Sequence, residues 1–230
     1  MHGPVCRLGP SHARTPPEPR LGGKTLWLEV CDGHLAVERV GQGPTLVLLH
    51  GWTLDRRMWT MQARALANRF TLVAIDRRGF GQSTAPPDRI RETDDIARLT
   101  DHLDLAAFHL VGMSQAGATA IAYAQQHRDR VITLVLQGIS LAGIPDQANA
   151  SDRIPLSEYA ELVRQGMLAS MKRHWAQHPL MAGLSGEAER IGAAMLADYD
   201  GRDLAAGPAG PSARLDAMAA LCMPVLGVTG

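Results

Sequence analysis

The stretch His109-Leu-Val-Gly-Met-Ser-Gln-Ala-Gly117 decides the fold. An apolar strand, His109 to Met113, runs without a spacer into Ser114, and an Ala-rich helical segment, Ala116 to His127, follows at once. A strand that turns into a helix within one residue leaves no room for side chains two positions either side of the turn, so small residues are required there. Gly112 meets that requirement, and Ala116 departs from a second glycine by one methyl group, with Gly117 next. In such an elbow the serine backbone is strained and its hydroxyl projects at the carboxyl ends of the strands, where open α/β sheets bind ligands. A plain strand-turn-helix with a capping serine has the same local sequence, so the neighbouring segments must decide between the two.

Working outward, Thr45-Leu-Val-Leu-Leu49 and Phe70 to Ile75 are continuous apolar runs, as expected of strands buried on both faces of a parallel sheet. Helical patterns at Arg57 to Asn68 and Thr93 to Leu103 alternate with them, and Val131 to Leu136 supplies a further strand. Alternation of this kind predicts parallel βαβ units with right-handed crossovers. Ahead of it, Thr25 to Val30 and His34 to Val40 flank a Cys31-Asp32-Gly33 turn and predict a hairpin. Residues from Ile144 to about Asp203 carry helical patterns without a strand, which suits a helical cap over the sheet. Ala213 to Leu221 then reads as helix and Pro224 to Thr229 as a last strand. The expected organisation is a disordered leader over 1–23, an α/β core over 24–143, a cap over 144–205 and the core continued over 206–230.

Composition narrows the function classes. Lys plus Arg and Asp plus Glu both count 23, so no charge excess points to nucleic acid. No apolar run approaches the ~18 residues of a membrane span, and the Pro-, Gly- and Arg-containing leader lacks the hydrophobic region of a secretory signal. Cys6, Cys31 and Cys222 are odd in number and widely spaced, unlike a zinc site or a disulfide scaffold, which fits a reducing, cytoplasmic setting. A small molecule is the expected partner. Composition does not give the oligomeric state.

Two further segments bear on chemistry. His50-Gly51-Trp52 directly follows a buried strand, and Gly51 allows a close turn, so the Trp52 amide and the Gln115 amide at the helix start can converge as an oxyanion hole beside Ser114. His50 is read as a loop-bracing hydrogen-bond partner and not as a base. Asp76-Arg-Arg-Gly-Phe-Gly-Gln-Ser83 has neither phosphate-loop nor dinucleotide spacing and is read as a compact scaffold loop. His174 and His178, four apart in the cap, have the spacing of a metal pair on a helix, but without an HExxH pattern a solvated helix face is the expected reading. Asp198, Asp200 and Asp203 close the cap without an assigned role, and His102, His109 and His127 are read as structural.

On His50 to Trp52, Asp76 to Ser83, Gly112 to Gly117 and the closing PVLGVTG strand, the chain from Lys24 onward resembles the α/β-hydrolase superfamily. Within it, the resemblance is to the 3-oxoadipate enol-lactonase-like hydrolases of small esters and lactones, through the cap segment Trp175 to Met181 as well. The resemblance implies Ser114 as nucleophile, the Trp52 and Gln115 amides as oxyanion donors, and no cofactor or metal. It argues against the dehalogenases and epoxide hydrolases of the superfamily, whose nucleophile is an aspartate. It also implies a triad in the order Ser, acid, His, with the acid just after the PVLGVTG strand and the histidine one strand later. Both positions fall beyond Gly230, with the last strand and helix of the fold, roughly 30 residues in all. The expectation is therefore a C-terminally truncated ester or lactone hydrolase. The alternative is a catalytically incompetent fragment or a ligand-binding homologue.

Overall fold

The computed structural model describes residues 21–142, 153–207 and 210–229. Residues 1–20 of the expected leader and 144–152 of the expected cap lie outside the described residues. The last three leader residues are described: Leu21 is buried, Gly22 and Gly23 are exposed, and the Gly23 amide donates to Glu38 Oε1 at 3.0 Å. The packed chain thus reaches back before Lys24, because Leu21 has apolar partners beside β3 and β4.

Seven strands form one sheet: β1 (Lys24–Val30), β2 (Gly33–Gly41), β3 (Thr45–Leu49), β4 (Thr71–Ile75), β5 (Phe108–Met113), β6 (Val131–Gln137) and β7 (Val225–Val228). Their order is β1-β2-β4-β3-β5-β6-β7. β1 and β2 are the expected hairpin, β2 joins β4 antiparallel, and every later pairing is parallel. All five residues of β4 are buried, which is why that strand is apolar throughout instead of alternating. The chain has the α/β-hydrolase fold.

Helices α1 (Thr60–Leu66), α2 (Glu92–His102) and α3 (Gln115–Gln126) flank the sheet. The segment expected as one helix over 57–68 opens as a 3₁₀ turn, Arg56–Trp59, because Asp55 caps it by accepting from the Arg57 amide at 2.9 Å. Five helices, α4 (Leu156–Arg164), α5 (Leu168–Gln177), α6 (Pro179–Ala182), α7 (Gly186–Asp198) and α8 (Arg202–Ala206), occupy the cap region, and no strand occurs among its described residues. The helix expected over 213–221 is shorter, α9 (Leu215–Ala219). Its N-terminal flank is drawn into extended pairing, Ala142 N–H donating to the Ala213 carbonyl at 2.8 Å and Leu215 N–H to the Ala142 carbonyl at 3.0 Å. β7 is one of the two sheet edges, with Leu226 59% exposed. No helix among the described residues is long and apolar enough to cross a membrane.

Candidate active site

Parallel register brings the three quoted segments to one end of the sheet. Leu49 pairs with Ile75 on one side and Gly112 on the other, so the chain leaving β3, β4 and β5 emerges at adjacent points. Trp52, Asp76 and Ser114 follow the ends of β3, β4 and β5 by three, one and one residues. This is the carboxyl end of the parallel strands, where unpaired backbone groups and open space coincide.

Ser114 has φ 51° and ψ −119°, a conformation L-residues rarely adopt. The strain is held from both sides. The Ser114 amide donates to the Gln137 carbonyl at 2.8 Å, and the Ser114 carbonyl accepts from Gly117 at 2.9 Å. A methyl group at Gly112 would stand 2.9 Å from Ala120 Cβ and 3.0 Å from the Ala116 carbonyl oxygen, so the elbow admits no side chain there. The second close approach falls at Gly117, whose added methyl would strike Ile139 Cγ2, while Ala116 is accommodated in full burial. This explains why an alanine serves two residues after the nucleophile position.

The loop after β3 faces the elbow directly. A methyl at Gly51 would meet the Met113 sulfur and lie 3.5 Å from Ser114 Cβ. Among the described residues the Trp52 and Gln115 backbone N–H groups donate to no protein acceptor. Gln115 is the first residue of α3, where an N–H has no intrahelical partner. The structure thus brings Ser114, Trp52 and Gln115 to one place, with two free amides on the segments beside the strained serine. Ser114 is partly exposed, and its side chain makes no capping bond to α3.

Beneath these residues lies a network of buried charge. His50 is fully buried; its Nε2 accepts from the Arg77 amide at 2.9 Å, which leaves Nδ1 as the donor to the Gly51 carbonyl at 2.8 Å. Burial, reinforced by the Arg77 charge, pushes the His50 imidazole down to about 3, so it is neutral and braces the loop. The Arg77 guanidinium donates to the His50 carbonyl (3.1 Å), to Gln115 Oε1 (3.0 Å) and to Glu92, and packs 5.3 Å from the Phe80 ring centroid. One side chain therefore ties the ends of β3 and β4 to the start of α3. Arg78 forks onto Asp95 at 2.7 and 2.9 Å, and Asp76 accepts from the Arg56 and Gln82 amides and from the Arg56 guanidinium. A side chain at Gly81 would occupy the position of the Asp76 carboxylate, which accounts for one glycine of that loop.

The cap contributes an aromatic roof. Trp52, Phe80, Tyr159, Trp175 and Tyr199 pack into one cluster, Trp52 lying 4.9 Å from Trp175 and 6.0 Å from Tyr159 between ring centroids. Asp203 is set into it, accepting from Trp52 Nε1 at 2.7 Å and Tyr199 Oη at 2.5 Å. Burial pushes the Asp203 carboxyl above the usual range, while those two donors pull it back. Of the three cap aspartates, only Asp203 is engaged this way. Asp198 pairs with Arg57 at 2.8 Å and Asp200 with Arg202 at 2.6 Å. The histidine pair does not share a helix face. His174 is exposed on α5, whereas His178 sits in extended backbone at the α5–α6 break, buried against Trp175. No cluster of metal-ligating side chains occurs among the described residues.

The family model for the alpha/beta hydrolase fold matches residues 44–199. The chain belongs to the alpha/beta hydrolase family. A fluoroacetate dehalogenase from Burkholderia sp is 37% identical over 107 residues, covering 43% of this chain and 35% of that protein. A pimeloyl-[acyl-carrier protein] methyl ester esterase from Chromobacterium violaceum is 37% identical over 115 residues, 50% of this chain and 44% of that protein. The chain thus spans less than half the length of these two relatives. Among solved structures, a hydrolase from Pseudomonas aeruginosa PA01 superposes with a TM-score of 0.69 at 25% identity, covering 91% of this chain and 81% of that one. The family has members named for quite different reactions, so the reaction must be argued from the site.

Proposed function

We propose that the chain belongs to a serine-nucleophile hydrolase of small carboxylic esters or lactones. The observation that carries this reading is Ser114 at φ 51° in the elbow, faced by Gly51 and flanked by the free Trp52 and Gln115 amides. In the proposed reaction, Ser114 Oγ attacks the acyl carbon, the carbonyl oxygen takes up negative charge, and the two N–H groups stabilise it. Collapse expels the alcohol or opens the lactone ring and leaves an ester on Ser114, which water then hydrolyses.

The identity of the nucleophile discriminates among the named reactions. Attack by a serine oxygen on the saturated carbon of a haloacid or an epoxide would leave an ether, which water does not cleave under these conditions. Attack on a carbonyl leaves an ester, which water does cleave. The esterase relative therefore fits Ser114, and the dehalogenase relative does not.

The step needs a base for the Ser114 proton. Among the described residues no imidazole is hydrogen-bonded to Ser114, and the buried His50 is engaged at both ring nitrogens. That observation supports a second reading for the 230-residue polypeptide itself: it binds acyl compounds, or is acylated once, with little turnover. The deciding experiment challenges it with p-nitrophenyl acetate, a set of lactones and fluoroacetate. The first reading expects acyl transfer that maps to Ser114 and disappears in Ser114→Ala, with no fluoride release. Fluoride release dependent on Ser114 would overturn it. Sustained ester turnover matching a complete relative would overturn the second reading, and a single acylation without turnover would support it.

A further inference from the structure

The two amides proposed to receive the oxyanion are held in different ways. The Gln115 amide is fixed by α3 and by the Ser114–Gln137 bond to β6. The Trp52 amide lies on a loop without regular structure, Gly51 to Asp55, and that loop is stitched to the cap. Trp52 Nε1 donates to Asp203 of α8, and Trp175 Nε1 of α5 donates to Thr53 Oγ1 at 2.8 Å. The Asp55 amide meets the Met195 sulfur of α7 at 3.4 Å, and Arg57 pairs with Asp198 at the end of α7.

Thr53 shows that these ties bear strain. It is a β-branched residue at φ 59°, a strained conformation that persists only where its surroundings over-determine it. Thr53 is 2% exposed and Trp175 4% exposed, so the bond between them is shielded from water, and losing either partner leaves the other unsatisfied. Thr53 directly follows Trp52, so the Trp175–Thr53 bond anchors the residue next to the one that carries the amide. The indole of Trp52 is pinned on its other side by Asp203 and the aromatic stack.

We propose that the cap positions the oxyanion donor. Through Trp175–Thr53 and Asp203–Trp52 it holds the Trp52 amide in its receiving orientation, so acyl transfer depends on a docked cap even where the cap does not touch the substrate. Thr53, Trp175 and Asp203 are positioning residues in this scheme. The inference rests on the reading of Trp52 and Gln115 as oxyanion donors.

The test needs no general base. In the 230-residue chain carrying Ser114→Cys, with Cys6, Cys31 and Cys222 each replaced by serine, two rates are measured above the thiol pKa. One is acylation by p-nitrophenyl acetate, which passes through an oxyanion; the other is alkylation by iodoacetamide, which does not. Their ratio, referred to that of free cysteine, isolates oxyanion stabilisation from access to the sulfur and from its ionisation. Thr53→Val, which removes the acceptor and keeps the shape, is expected to lower the ratio about tenfold, a fraction of what loss of a whole donor costs. Thr53→Ser, which keeps the acceptor, is expected to retain it within about twofold. Trp175→Phe breaks the same bond from the cap side and serves if Thr53→Val fails to fold. An unchanged ratio in either folded variant, or an equal loss in Thr53→Ser, would overturn the inference. A parent ratio no greater than that of free cysteine would instead overturn the oxyanion reading itself.

Discussion

On the sheet side of Ser114 the molecule is built from paired charges, and on the cap side from aromatic rings. Arg77 with Glu92, Arg78 with Asp95 and Arg56 with Asp76 form the floor, each pair almost wholly out of water. Trp52, Tyr159, Trp175 and Tyr199 form the roof, into which the half-buried Asp203 carboxylate is set. The difference is physical. A buried ion must keep its partner and its hydrogen bonds, so the floor tolerates few arrangements. Ring-against-ring packing is broad and weakly directional, so the roof tolerates a change of ring better than the floor tolerates the loss of a charge.

The contrast predicts unequal costs. Arg78→Met leaves Asp95 buried without its fork and should destabilise by about 3–5 kcal/mol, measured as a lower urea midpoint. Equal losses from Arg78→Met and from a roof substitution would break the comparison.

Next comes the pH response of the floor. The His50 imidazole is held near 3 when folded and returns to 6.5 when unfolded, so between those values only the unfolded chain takes up the proton. Stability from this group is complete above pH 6.5 and is lost as pH falls toward 3, by up to ~1.4 kcal/mol per pH unit. His50→Gln should flatten the slope of unfolding free energy against pH by that amount, whatever it does to absolute stability. Parallel slopes would show that His50 is not the titrating group.

A smaller effect is expected in the roof. Tyr199→Phe removes one donor to Asp203 but leaves the ring packing, so a loss of about 1–2 kcal/mol should be seen in thermal or urea unfolding. Smallest is Glu161→Ala on the outer face of α4, whose pair with Arg164 is about half exposed and should change stability by less than ~0.5 kcal/mol. Losses in that order, floor over roof over rim, would sharpen the distinction.

Much of this was legible in the chain. Continuous apolar runs marked the parallel strands, and Gly112-Met-Ser with His50-Gly-Trp marked the strand ends that meet, because both depend on neighbours in sequence. The unread part depends on distant partners. Trp52 finds Asp203 across 151 residues and Trp175 finds Thr53 across 122, and neither pairing leaves a periodic trace. Asp198, Asp200 and Asp203 look alike as sequence; only partial burial and the donors from Trp52 and Tyr199 separate the last from the other two. Arg77 reads as one of two adjacent arginines, and its junction of three segments follows from register. The His174–His178 spacing misleads because the helix ends at Gln177, which turns the second ring inward.

The central claim is that Ser114 projects toward the Trp52 and Gln115 amides. It is tested most directly by an experimental structure of the protein soaked with a small alkyl boronic acid, which forms a tetrahedral adduct on a nucleophilic hydroxyl. Boron bonded to Ser114 Oγ, with one boronate oxygen about 2.7–3.1 Å from both amide nitrogens, is the result predicted. A Ser114 hydroxyl turned into the interior, or an adduct whose oxygens reach neither amide, would contradict it.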